Sequence, residues 1–159
     1  TLGIANNKNL SDISSLKNLT ALVNLYADYS NISDLSALSN MTNLKVLHIP
    51  FNPLKSLNGL ENCKELTELD LNGDQYSDLS PIANLTKLKT LNIANNKNLS
   101  DISSLKNLTT LVNLYADNSN ISDISVLANL TNLRSLHIPG NPIKNYDVLN
   151  GLHLTDLIK

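Results

Sequence analysis

Apolar residues recur along this chain in pairs separated by one polar position. The pairs are Leu2/Ile4, Leu25/Ala27, Leu47/Ile49, Leu69/Leu71, Leu91/Ile93, Leu114/Ala116 and Leu136/Ile138, at spacings of 23, 22, 22, 22, 23 and 22 residues. A period of two predicts a short strand with both apolar side chains on one face. Between strands the apolar period changes to three, as in Ile121, Ile124, Leu127, Leu130 and Leu133, which suits a 3₁₀-like return better than a long α-helix. In "SDLSPIANL", Pro81 follows Ser80, and Ser80 is expected to cap a turn with Pro81 at its first position.

A strand this short cannot fold alone. Its apolar face is covered only when the next coil stacks on it, so the pattern predicts a solenoid whose strands lie side by side about 4.8 Å apart. The fold class is α/β: a right-handed leucine-rich-repeat solenoid of about seven coils, with a parallel concave sheet and a 3₁₀ or irregular convex side. One domain covers residues 1–159, with repeats near 2–24, 25–46, 47–68, 69–90, 91–113, 114–135 and 136–159. "LHLTDLIK" puts Leu154 and Leu157 where an eighth strand would begin.

The repeats are themselves duplicated. "IANNKNLSDISSLKNLT" stands at residues 4–20 and again at 93–109, and residues 1–50 agree with 90–139 at 41 of 50 positions. A cassette of four coils has been copied in tandem. One small polar residue per coil follows each strand: Asn7, Ser30, Asn52, Asp74, Asn96, Ser119 and Asn141. Such a ladder satisfies backbone groups inside the turn, which is a structural role.

The units "ISDISVLANLTNLRSLHIPGNPI" and "YSDLSPIANLTKLKTLNIANNKNL" resemble the 22-residue repeats of the internalin family of Gram-positive bacterial surface proteins. The resemblance covers essentially the whole chain and implies a protein-binding concave face on a cell surface or secreted protein. A cytoplasmic group of phosphatase-regulating proteins shares this repeat length, so a cytoplasmic scaffold stays open as a second reading. "TLGIANN" opens mid-pattern and neither end has a polar cap, which predicts flanking sequence or end-to-end self-association.

Composition narrows the partner. A net charge of −2 with a single arginine, Arg134, argues against nucleic acid, and no apolar run is long enough for membrane insertion. The sole cysteine, Cys63, and Met41 fill core slots that other coils give to leucine. Asp12, Asp34, Asp78, Asp101 and Asp123 recur once per coil and mark turn chemistry. The Asn-x-Thr and Asn-x-Ser triplets are by-products of the repeat. No motif nominates an enzyme or a cofactor, and the expected function is recognition without chemistry.

The candidate partner-binding residues lie on the outward face of the strands. The middle positions Tyr26, His48, Asp70, Tyr115 and His137 line the hollow, and Asp28, Tyr29, Phe51 and Asp117 follow directly after. Tyr26, Tyr29, His48 and Phe51 cluster on two neighbouring strands, as partner interfaces enriched in aromatics do; the plainer reading is that the rings pack flat to shield the sheet. His48 and His137, three strands and roughly 14 Å apart, are too distant for one ion. His48 beside Asp70 lacks a third ligand, so no metal is expected.

Overall fold

A computed structural model describes residues 1–159 as one open sheet of eight parallel strands in chain order. They are β1 (Leu2–Gly3), β2 (Asn24–Tyr26), β3 (Val46–His48), β4 (Glu68–Asp70), β5 (Thr90–Asn92), β6 (Asn113–Tyr115), β7 (Ser135–His137) and β8 (Asp156–Ile158). The register is uniform: Leu25, Leu47, Leu69, Leu91, Leu114, Leu136 and Leu157 stand beside one another. From β2 to β7 each strand holds its buried leucine at the centre and starts one residue earlier than the Leu-x-Leu pair implies. Two side chains per strand therefore face outward. The eighth strand is present, with Leu157 rather than Leu154 in register.

Six coils return through 3₁₀ turns, at Ser14–Asn18, Ser36–Leu38, Ser80–Ile82, Ser103–Asn107, Ser125–Asn129 and Asp147–Gly151. No α-helix forms. The recurring aspartates start five of these turns, because their carboxylates accept the backbone N–H two residues on, as from Ser80 to Asp78 at 2.7 Å. This corrects the cap expected at Ser80, which is the first residue of its turn and is itself held by Asp78 through both N–H and hydroxyl. Where the series has Ser56 in place of aspartate, no 3₁₀ turn forms. There the chain bends instead at Gly59 (φ +108°), where an added Cβ would stand 2.2 Å from the carbonyl oxygen of Leu35 in the preceding coil.

The apolar faces close into one continuous core that includes Met41 and Cys63. Cys63 is fully buried, and desolvation pushes its thiol up to about 11. The duplicated stretch shows what covers a coil. Leu19 is 45% exposed, whereas Leu108, in identical local sequence, is 0% exposed because a coil precedes it. Full burial of a leucine is worth about 1.5–3 kcal/mol. Neighbouring coils, not local propensity, supply most of the stability.

The polar ladder lies just beyond each strand. Asn52 donates from its amide to the carbonyls of Ala27, Ile49 and Pro50 at 2.9, 3.0 and 3.2 Å, and accepts from the N–H of Ile32 at 3.0 Å. Asn96 and Asn141 repeat the arrangement, with Asn96 reaching Leu71, Ile93 and Ala94. Asp74 is the exception, since a carboxylate has no N–H to give.

Candidate functional site: the concave face and its rim

Period-two alternation turns two rows of side chains per strand into the hollow, and a third row follows directly after the strands. Tyr26, His48, Asp70, Asn92, Tyr115 and His137 form the central row in direct register. Asn24, Val46, Glu68, Thr90, Asn113, Ser135 and Asp156 form the row before it. Asp28 and Asp117 lie in the row after it, half-buried, and each has one carboxylate oxygen, Oδ1, without a hydrogen-bond partner.

The histidines have different partners from those expected. His48 Nε2 lies 2.7 Å from Glu68 Oε1, not against Asp70, and His137 Nε2 lies 2.7 Å from Asp156 Oδ2. A neutral imidazole donates its N–H to either carboxylate. Each histidine also meets a tyrosine edge-on: Tyr26–His48 at 5.1 Å and 85°, Tyr115–His137 at 4.9 Å and 84°, a favoured aromatic geometry. The two histidines stand on β3 and β7, four strand steps rather than three, which is about 19 Å.

Glu68 and Asp156 are the residues missed as candidates. They sit one position before the strand leucine, and the same alternation that exposes Tyr26 exposes them. Asp156 is held below the ordinary carboxylate range, chiefly by the Ser135 hydroxyl and then by His137. Asp70 is raised, mainly by desolvation, against the pull of the Asn72 N–H.

Tyr29 and Phe51 lie on the rim, in the turn that leaves the strand, rather than on the strand itself. Their rings stack at 4.5 Å with an interplanar angle of 14°, as the plainer reading anticipated, yet they remain 50% and 41% exposed. Stacking closes the facing surfaces and leaves the edges in solvent. The Phe51 ring also covers Gly73, whose added Cβ would stand 2.6 Å from Phe51 Cδ1.

The backbone makes this pair unusual. One residue per coil at this turn adopts positive φ: Asn6, Tyr29, Phe51, Gly73, Asn95, Asn118 and Gly140, at 60°, 50°, 56°, 76°, 59°, 51° and 71°. Asn and Gly tolerate that conformation, whereas a bulky L-residue pays of order 1–2 kcal/mol. In the second cassette the equivalents of Tyr29 and Phe51 are Asn118 and Gly140, so the aromatics occupy sites where the fold prefers other residues.

Comparison with known proteins follows the same geometry. Residues 42–84 match the family model described as leucine-rich repeats in two copies. An internalin from Listeria monocytogenes, InlF, superposes with a TM-score of 0.91 at 39% identity over 94% of this chain and 44% of its own. The chain is an internalin-like leucine-rich-repeat protein. A second Listeria monocytogenes internalin, C2, resembles it with a TM-score of 0.70 at 28% identity, over 99% of this chain and 79% of that one. The functional domain of InlJ from the same organism shares the fold alone, with a TM-score of 0.77 at 24% identity over 92% of this chain and 31% of its own. No curated protein matches. This internalin-like chain thus spans less than half the length of the first of these structures. No helix in it is long and apolar enough to cross a membrane.

Proposed function

We propose that this chain is a protein-recognition module that binds a partner through the concave sheet and its first-cassette rim, by side-chain complementarity and without chemistry. The observation that carries the reading is the exposed Tyr29–Phe51 stack in left-handed backbone. Departures from local preference that bring no evident folding gain are where function is to be sought. The rigid sheet loses little entropy on binding, so a small aromatic patch suffices as an anchor. Tyr26, His48, Asp70, Tyr115, Asp117 and His137 supply the polar surround. The setting, on resemblance to internalins, is a bacterial cell surface or its surroundings.

The test is capture of binding proteins from host-cell extract by the wild-type chain and by the Tyr26/Tyr29/Phe51 triple alanine variant. The variant is expected to lose the partner the wild type retains. Equal recovery of every captured protein would overturn the assignment.

A further inference from the structure

The concave face holds the same arrangement twice. Tyr26, His48 and Glu68, with Asp28 behind them, form one group; Tyr115, His137 and Asp156, with Asp117, form the other. Both groups pair imidazole and carboxylate at 2.7 Å, set tyrosine edge-on to histidine, and leave one aspartate oxygen unpartnered. Tandem copying explains the tyrosines, histidines and aspartates. The last carboxylate is kept with a change of type: in strand register Leu66, Thr67, Glu68 and Leu69 stand against Leu154, Thr155, Asp156 and Leu157, and Glu68 and Asp156 reach the same place beside a histidine.

The charge of the hollow is one-sided. Its three outward rows carry Asp28, Glu68, Asp70, Asp117 and Asp156 and no lysine or arginine. Both histidines are already held by acids. An occupant that brings cations would meet complementary charge at both groups, first at the exposed Glu68 and Asp156 carboxylates, with the buried, unpartnered Oδ1 atoms of Asp28 and Asp117 adding negative potential behind them.

Building on recognition through this face, we propose that the two groups are equivalent subsites and that the occupant is an extended polypeptide segment presenting one basic side chain to each. The separation follows from the sheet. Four strand steps span about 19 Å, which an extended chain covers in about six residues. The basic side chains therefore stand at positions i and i+6.

Synthetic peptides of about 14 serine, threonine and glycine residues test this, with arginines at i and i+6, at i and i+2, or singly. The i, i+6 peptide is expected to bind the intact chain about 10-fold or more tighter than the single-arginine peptide. Asp28→Asn or Asp117→Asn should reduce it to the single-arginine level, with thermal melts confirming that each variant folds. Equal binding of the two spacings, indifference to the Asp28→Asn/Asp117→Asn double variant, or no binding of the i, i+6 peptide at millimolar concentration would each overturn the proposal. A natural partner kept by that double variant but lost by Tyr29→Asn/Phe51→Gly would refute the paired subsites and spare recognition. One kept by both variants would refute recognition itself.

Discussion

Tyr76 supplies the hydrogen bond that Asp74 does not give. In the coils of Asn52, Asn96 and Asn141, the ladder amide donates to the carbonyl three residues earlier. The matching carbonyl for Asp74 is Leu71, and there the fully buried Tyr76 hydroxyl donates at 3.3 Å while accepting from Asn96 Nδ2 at 2.9 Å. Asp74 keeps one oxygen, Oδ1, on the N–H groups of Asn52 and Leu54, and its Oδ2 has no partner.

Stability should therefore depend on Asp74 ionisation. Desolvation, opposed by the two N–H groups and aided by Asp70, pushes its carboxyl up to about 8 from an ordinary 3.8. Between those values the folded chain holds a proton that the unfolded chain has released, so stability falls as pH rises from about 4 to about 8 and levels off above. Asp74→Asn should remove that slope and stabilise the chain by a few kcal/mol at pH 8. Denaturant melts across pH 4–9 check this, and an unchanged slope would refute it.

Tyr76→Phe should cost about 1–2 kcal/mol in the wild-type background. After Asp74→Asn, the new amide serves Leu71 and the cost should shrink. A double-mutant cycle with coupling below about 0.3 kcal/mol would show that the two side chains act independently.

The duplicated stretch gives a matched pair. Leu108→Ala should destabilise by about 2–5 kcal/mol, as core leucines do, and Leu19→Ala by less than half as much. Equal losses in urea melts would mean that the preceding coil contributes little to burial.

Transferring the second cassette's residues onto the first, as Tyr29→Asn with Phe51→Gly, relieves the left-handed backbone while forfeiting an aromatic stack of about 0.5–1.5 kcal/mol. The melting temperature should stay within a few degrees of wild type while partner binding disappears. A large drop in stability would identify the rings as a structural brace.

Gly59→Ala places a methyl against the Leu35 carbonyl in backbone that alanine rarely adopts. It should cost about 2–4 kcal/mol, whereas Gly3→Ala, with open space around it, should cost little. Thermal melts separate the two.

Spacing carried the fold. Leucines one strand apart must stack, and the ladder and turn aspartates recur at fixed offsets, so their roles were readable from position alone. The site was readable only in part. Alternation places Tyr26 and His48 on one face, but the residue His48 selects depends on strand register and side-chain reach, which favour Glu68 over Asp70. The left-handed turn at Tyr29 and Phe51 was hidden because both types ordinarily avoid it. It shows only when their coils are set beside those with Asn and Gly. The proline signal misled by one residue, since Asp78 holds the turn from further back.

The verbatim stretch at residues 4–20 and 93–109 gives the molecule a seam along which it can be shortened. Excising the 89 residues between matching points would join Gly3 to Ile93 and leave an unbroken run of coils, in which Leu108 takes the end position that Leu19 now holds. Such a product would lack Tyr29 and Phe51 entirely. A single loss at that seam would delete the proposed aromatic anchor while leaving a shorter stack of coils behind.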